Sequence, residues 1–178
     1  MTLRLLALST AFLLSGCAEM KVAEFESGRP LLDPAQFFSG RTSSFGVMEN
    51  RGGAPTKRVT TQTSGNWEGE TLHLEQELQI GDLAHHRSWQ IRKVDAHHYE
   101  ATANDMVGSA RGEAYGNVFH WEFTLKLSPG NPLANVRMSQ WMYLQPDGRT
   151  LINHSTIRKF GIVVAQVTEQ FRRETSAP

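Results

Sequence analysis

The sequence lacks most of the features that define several large protein classes. Among its 178 residues there is one cysteine, Cys17, so neither an internal disulfide framework nor a CxxC-type zinc site can be built. Neither sign of charge is in excess: 18 basic side chains face 18 acidic ones, and the isoelectric point is near 7.1. That balance removes the electrostatic footprint of nucleic-acid binding, and no nucleic-acid partner is expected. No apolar run reaches the roughly 18–20 residues of a membrane-spanning helix. Amphipathic helical stretches of ten residues or more are missing, which argues against a sheet of βαβ units. There is no GxSxG elbow, no HExxH and no Walker lysine. The sequence therefore offers no catalytic residues, no cofactor and no metal site, and a non-enzymatic role is the expectation.

What is present begins at the N-terminus. Arg4 supplies a positive charge, and Leu5 to Leu14 form an apolar run broken only by Ser9 and Thr10. That is the length of a signal-peptide core. The run ends at Leu14-Ser15-Gly16-Cys17, which resembles the lipobox of bacterial lipoproteins. Small residues suit the peptidase, and the thiol of Cys17 is the acceptor for a diacylglycerol. The alternative is an ordinary secretory signal with a chance cysteine. Two or three acyl chains on one residue make a stable membrane anchor. Ala18 follows the cysteine, and by resemblance to proteobacterial lipoproteins this implies the outer membrane, facing the periplasm. Residues 1–16 are thus read as a signal peptide, 17–32 as a lipidated tether, 33–173 as one domain and 174–178 as a flexible tail. Asp33 before Pro34 is an N-cap with proline at N1, so 35–38 are expected to form a helical turn. Its Phe37 and Phe38 would dock against the end of the domain.

From residue 40 onward the dominant period is two. Phe119, Trp121, Phe123, Leu125 and Leu127 alternate with His120, Glu122, Thr124 and Lys126, the pattern of a strand with one buried and one wet face. Leu72, Leu74, Leu78 and Ile80 form a second such set, with Gln76 the polar member of the inward face; Val163, Ala165, Val167 and Phe171 form a weaker third. Turn signals separate these runs at hairpin intervals: Gly81-Asp82, Asp95-Ala96-His97, Gly116-Asn117, the Pro129–Pro132 stretch and Pro146-Asp147-Gly148. Short strands joined by tight turns suit an all-β fold, an antiparallel up-and-down barrel of about eight to ten strands, whose closure removes exposed edges. A two-layer sandwich is the alternative. Glycine at 108, 112 and 116 marks a bend or bulge where backbones approach closely.

Arg87 shares strand parity with Trp89, and Asp105 with Tyr99. If both sets face inward, the loop 95–97 must pair Val94 with His98, which places Arg87 opposite Asp105 as a partly desolvated ion pair. Such an arginine could anchor the carboxylate or phosphate of an amphiphile, with Trp89, Tyr99, Trp121 and Phe123 lining an apolar pocket. The structural alternative is an ion pair that stabilises a filled barrel. A barrel of this size can be packed solid or hold one ligand. His85-His86 and His97-His98 flank one predicted strand of about 12 residues, roughly 40 Å long at about 3.3 Å each, too far apart to share an ion.

The residues Phe38-Ser39-Gly40, Arg87-Ser88-Trp89, Asn104-Asp105-Met106-Val107-Gly108, Gly112, Gly116-Asn117, Trp121, Gln140-Trp141-Met142, Leu151-Ile152-Asn153 and Lys159-Phe160-Gly161 together resemble the bacterial lipoprotein family known as domain of unknown function 3833. The likeness spans roughly residues 30–173. It departs at Gln140, where an acid is expected, and at His154, where an arginine is expected. A charged pair built on those positions in relatives is absent here. The resemblance implies a calycin-like fold, as in lipocalins, and genes of the family often neighbour those of fatty-acid-modifying enzymes, which implies a lipid-related task. Three functions follow as expectations: a lipid-anchored barrel that binds a small hydrophobic or amphiphilic molecule, a filled barrel serving as accessory to an envelope protein partner, or, least supported, an enzyme acting on lipid.

Overall fold

The computed structural model describes residues 20–174. Cys17 and the lipobox-like segment lie outside the described residues, as do the last four. Ten strands follow in chain order: β1 (Gly40–Asn50), β2 (Pro55–Glu68), β3 (Thr71–Ile80), β4 (Leu83–Lys93), β5 (His98–Ala103), β6 (Met106–Tyr115), β7 (Val118–Leu125), β8 (Val136–Leu144), β9 (Thr150–Lys159) and β10 (Ile162–Arg173). Each strand pairs antiparallel with its neighbours in sequence, and β1 pairs with β10 from Thr42↔Arg173 to Asn50↔Ala165. That last ladder closes the barrel and excludes the sandwich. The fold is a calycin-like up-and-down barrel at the upper end of the expected strand number.

Alternation positions the side chains. Phe119, Trp121, Phe123 and Leu125 of β7 and Leu72 and Leu74 of β3 are buried, as period two requires. Leu78 and Ile80, nearer the end of β3, are only half-buried, because they line an open mouth. The bulge expected at the spaced glycines is present: the β6–β7 register shifts between Val107 and Arg111, around Gly108 with φ of 68°. Gly112 faces inward, where a Cβ would strike the Phe119 ring and Trp121. The chain turns because it must pass there without a side chain.

One end of the barrel is plugged. Helix α1 (Pro34–Phe38) is capped by Asp33 Oδ1, which accepts from Gln36 N at 3.1 Å. Lys93 Nζ donates to Asp33 Oδ2 at 2.9 Å and ties the cap to β4. Phe37 and Phe38 are buried and meet edge-on at 5.1 Å, and Phe38 meets Phe171 edge-on at 5.6 Å. The segment read as a tether is, over residues 20–32, packed on the barrel instead. Val22 and Leu32 are buried, Leu32 N donates to Gly116 O at 2.8 Å, and the Phe25 ring lies edge-on to Tyr143 at 6.1 Å. These apolar side chains are spaced without period among charged ones, so only the wall that receives them reveals their role.

Candidate functional site

The plug leaves the interior hollow above it. A cavity of about 480 Å³ opens at the opposite end, its wall mostly apolar: Met48, Val59, Leu78, Ile80, Met138 and Ile157 among others. Deeper, Trp89 and Trp121 stack at 4.8 Å with ring planes 24° apart. Their orientation is fixed by hydrogen bonds. Trp89 Nε1 donates to Gln76 Oε1 at 2.7 Å, and Trp121 Nε1 to Gln140 Oε1 at 2.6 Å.

Those two glutamines belong to a polar belt. On one side Gln76 Nε2 donates to Thr63 Oγ1 at 3.2 Å. On the other, Gln140 Nε2 donates to Ser155 Oγ at 2.8 Å, and Asn153 Nδ2 reaches Ser155 Oγ at 3.0 Å and Glu169 Oε2 at 3.4 Å. Ser44 Oγ donates to Glu169 Oε1 at 2.9 Å and Thr61 Oγ1 to the same oxygen at 3.3 Å. Burial pushes the Glu169 carboxyl above the usual glutamate range; the three hydrogen bonds and the charge of Arg87 pull it only part of the way back. Asn153 Oδ1, fully buried beside it, has no hydrogen-bond partner, and an unmet buried acceptor is costly.

Near the mouth, Arg87 Nε donates to Asp105 Oδ1 at 2.9 Å and Oδ2 at 2.8 Å, and Nη2 reaches Oδ2 at 2.8 Å. The β4–β5 register, Trp89↔Ala103 and Lys93↔Tyr99, with Val94 N donating to His98 O, is the one that sets 87 against 105. Arg87 also lies over the Trp89 ring at 5.6 Å. The arginine is therefore already matched by a carboxylate.

Of the residues singled out in the sequence, Arg87, Trp89, Asp105 and Trp121 line the cavity. Phe123 is buried behind the tryptophan pair, edge-on to Trp89 at 5.3 Å. Tyr99 is not brought to the cavity. It packs edge-on against Phe119 at 5.6 Å, with Lys93 Nζ over its ring at 5.4 Å. Glu169, Ser155, Thr61 and Ser44 escaped the sequence reading, and Asn153 entered it only through the family resemblance. Glu169 had a signal: it shares parity with Val167 and Phe171, and a charged residue in an inward set marks a polar site. His85 and His86 lie at the mouth, whereas His97 stacks on Tyr115 at 4.1 Å and His98 binds Asp95 at the other end. Among the described residues no group of His, Cys, Asp or Glu is arranged to hold a metal ion.

A closed antiparallel barrel, plugged at one end and hollow and apolar within, defines a lipocalin-like class of protein. Within that class, the chain belongs to the family described as Protein of unknown function (DUF3833), which matches residues 11–173. Among the solved structures that share the fold are two examples. The S-type phycobiliprotein lyase CPES from Guillardia theta is 9% identical, with a TM-score of 0.60 over 89% of this chain and 100% of that one. A protein of unknown function of the DUF3598 family from Nostoc punctiforme is 12% identical, with a TM-score of 0.56 over 82% of this chain and 51% of that one. At such identities the likeness is one of fold alone. No curated protein sequence matches this one.

Proposed function

We propose that the protein binds a single hydrophobic or amphiphilic molecule inside its barrel, with a small uncharged hydrogen-bonding head such as an alcohol or protonated acid. One observation carries this reading: a cavity of about 480 Å³, walled by apolar side chains and crossed by an ordered polar belt. That volume lies within the roughly 300–1,000 Å³ of sites that enclose small ligands. The chemistry of the head follows from the electrostatics. Arg87 is already matched by Asp105, so a free carboxylate or phosphate would compete with an existing partner rather than meet a bare cation. The unmet acceptor of Asn153, buried beside Glu169, favours a neutral hydrogen-bond donor instead.

The shared fold with a protein named as a lyase carries no residue role across at 9% identity. The filled-barrel reading is disfavoured by the cavity. The motif Leu14-Ser15-Gly16-Cys17 further supports an acylated Cys17 that holds the barrel at the surface of a bacterial envelope membrane, facing the periplasm.

Native mass spectrometry of the protein purified from membranes tests both parts. We expect a covalent acyl mass on residue 17 and a non-covalent lipid bound one to one. Val167→Phe, which fills the cavity, is expected to lower affinity for a displaceable fluorescent fatty acid at least tenfold while keeping the melting temperature. An empty barrel from every preparation, with no displacement by any lipid class, would overturn the ligand reading.

A further inference from the structure

The open end of the barrel differs from the plugged end in a way the ligand reading does not use. In an up-and-down barrel alternate turns fall on the same end, so the turns after β1, β3, β5, β7 and β9 all surround the mouth. These turns and their flanks carry large apolar side chains that face solvent: Leu83, Leu127, Leu133, Phe160 and Ile162. At the plugged end the comparable side chains are fewer: Trp67 and Val94 at the turns, and Leu31 on the segment packed beside Gly116. Phe160 is the extreme case. It is 77% exposed and stands at φ of 50° in a two-residue hairpin, followed by Gly161 at φ of 80°. Lys159 pairs with Ile162 across this hairpin. Both central residues of such a turn need positive φ, which favours Asn-Gly and disfavours phenylalanine. The chain thus keeps an aromatic at a tip where it is strained and where it buries nothing.

The mouth is also rich in cations. Although the whole sequence is neutral, Arg51, Lys57, Arg58, Lys126, Arg158 and Lys159 stand at the mouth, against Glu49, Asp82, the Glu77 paired with His86 and the Asp105 already held by Arg87. Lys57 lies against Gly81 of the β3–β4 turn, and Lys159 Nζ sits 5.7 Å over the Phe160 ring. At the plugged end the turns and their flanks carry both signs, Glu68, Glu70, Asp95 and Asp147 beside Lys93 and Arg149.

We propose that the mouth docks on a bilayer surface rich in anionic lipid. The lysines and arginines meet headgroups, and the turn tips, Phe160 foremost, enter the interfacial region. Apolar tips interleaved with cations suit that surface; a protein partner would be matched by shape, and is the competing outcome. Docked in this way, the cavity opens directly onto lipid. The proposal stands apart from the identity of the ligand, since vesicle binding and cavity occupancy are measured separately.

The test uses residues 18–178, which retain every described contact of the barrel and lack the acyl acceptor. Sedimentation with vesicles of phosphatidylcholine alone is compared with vesicles containing 30% phosphatidylglycerol. We expect binding to the anionic vesicles only, weakened by salt as exposed charges are screened. Phe160→Asn should relieve the turn and raise the melting temperature, yet lower vesicle binding about tenfold, the effect of withdrawing one aromatic from an apolar environment. The cavity-filled Val167→Phe should bind vesicles as the parent does. Absence of binding to anionic vesicles, or unchanged binding by Phe160→Asn and by Lys159→Glu, would overturn the proposal, whatever the cavity is found to hold.

Discussion

Glu169 is the residue on which the interior turns. A carboxyl lodged among Ser44, Thr61 and Asn153 at 7% exposure has its pKa raised above the usual glutamate range, because burial penalises the charge more than three hydrogen bonds and a distant guanidinium favour it. The consequence for stability has a definite sign. A group whose pKa is raised on folding binds its proton more tightly in the native state. Its contribution is therefore full below the ordinary glutamate value, about 4.3, and is lost as the pH climbs through the raised native value. We expect stability to fall over that window and Glu169→Gln to flatten the profile, measured by urea unfolding at a series of pH values. An unchanged slope in the variant would mean that the carboxylate is ionised in place. At the acid end, Asp95 and Asp147 each have a pKa lowered to about 2. Backbone and side-chain donors of their own turns cause this: those of His97 and His98 for Asp95, and of Thr150 and Arg149 for Asp147. These turns keep their charged caps well below the usual carboxylate range, and lose them only as the pH falls through about 2.

Among the elements, the short helix α1 carries more than its length suggests. Its N-cap and proline made its position legible in the sequence, and its two phenylalanines supplied the reason for it to exist. Phe38 touches both Phe37 and Phe171 and forms part of the cavity floor. Phe38→Ala is expected to cost about 3–5 kcal/mol, read as a fall in melting temperature, and to speed ligand release by opening the floor. Full stability in the variant would show that the strands alone seal that end. The strands were legible wherever one face is wet, as in β7. The segment 20–32 was not, because a wall-bound stretch of irregular chain has no period to read; Val22, Phe25 and Leu32 are recognised only by the surfaces that bury them.

On the scale of the whole molecule, closure is the decisive property. The β1–β10 ladder joins the first and last strands of the barrel, so every strand has two neighbours and none presents a free edge. Unfolding is expected to be one cooperative event: far-UV circular dichroism and tryptophan fluorescence should give coincident urea transitions. Ending the chain after Phe160 removes β10, leaves β1 and β9 as open edges and deletes Glu169; that variant is expected to aggregate or bind hydrophobic dyes. Two separated transitions in the intact protein would show that the ladder closes the barrel only weakly.

The sequence by itself determined the all-β class, the alternation, the turns, the bulge near Gly108, and the opposition of Arg87 and Asp105. All of these follow from local rules: side chains alternate along a strand, and a loop of known length fixes the register of its hairpin. Only the tertiary structure decided that the barrel is hollow, that Glu169, Asn153, Ser155 and Gln140 join in one belt, and that Tyr99 packs against Phe119 instead of lining the cavity. Those facts depend on which strands become neighbours after closure and on how inward side chains from opposite walls fill or spare the space between them. That is a sum over distant residues, and no single stretch of chain contains it.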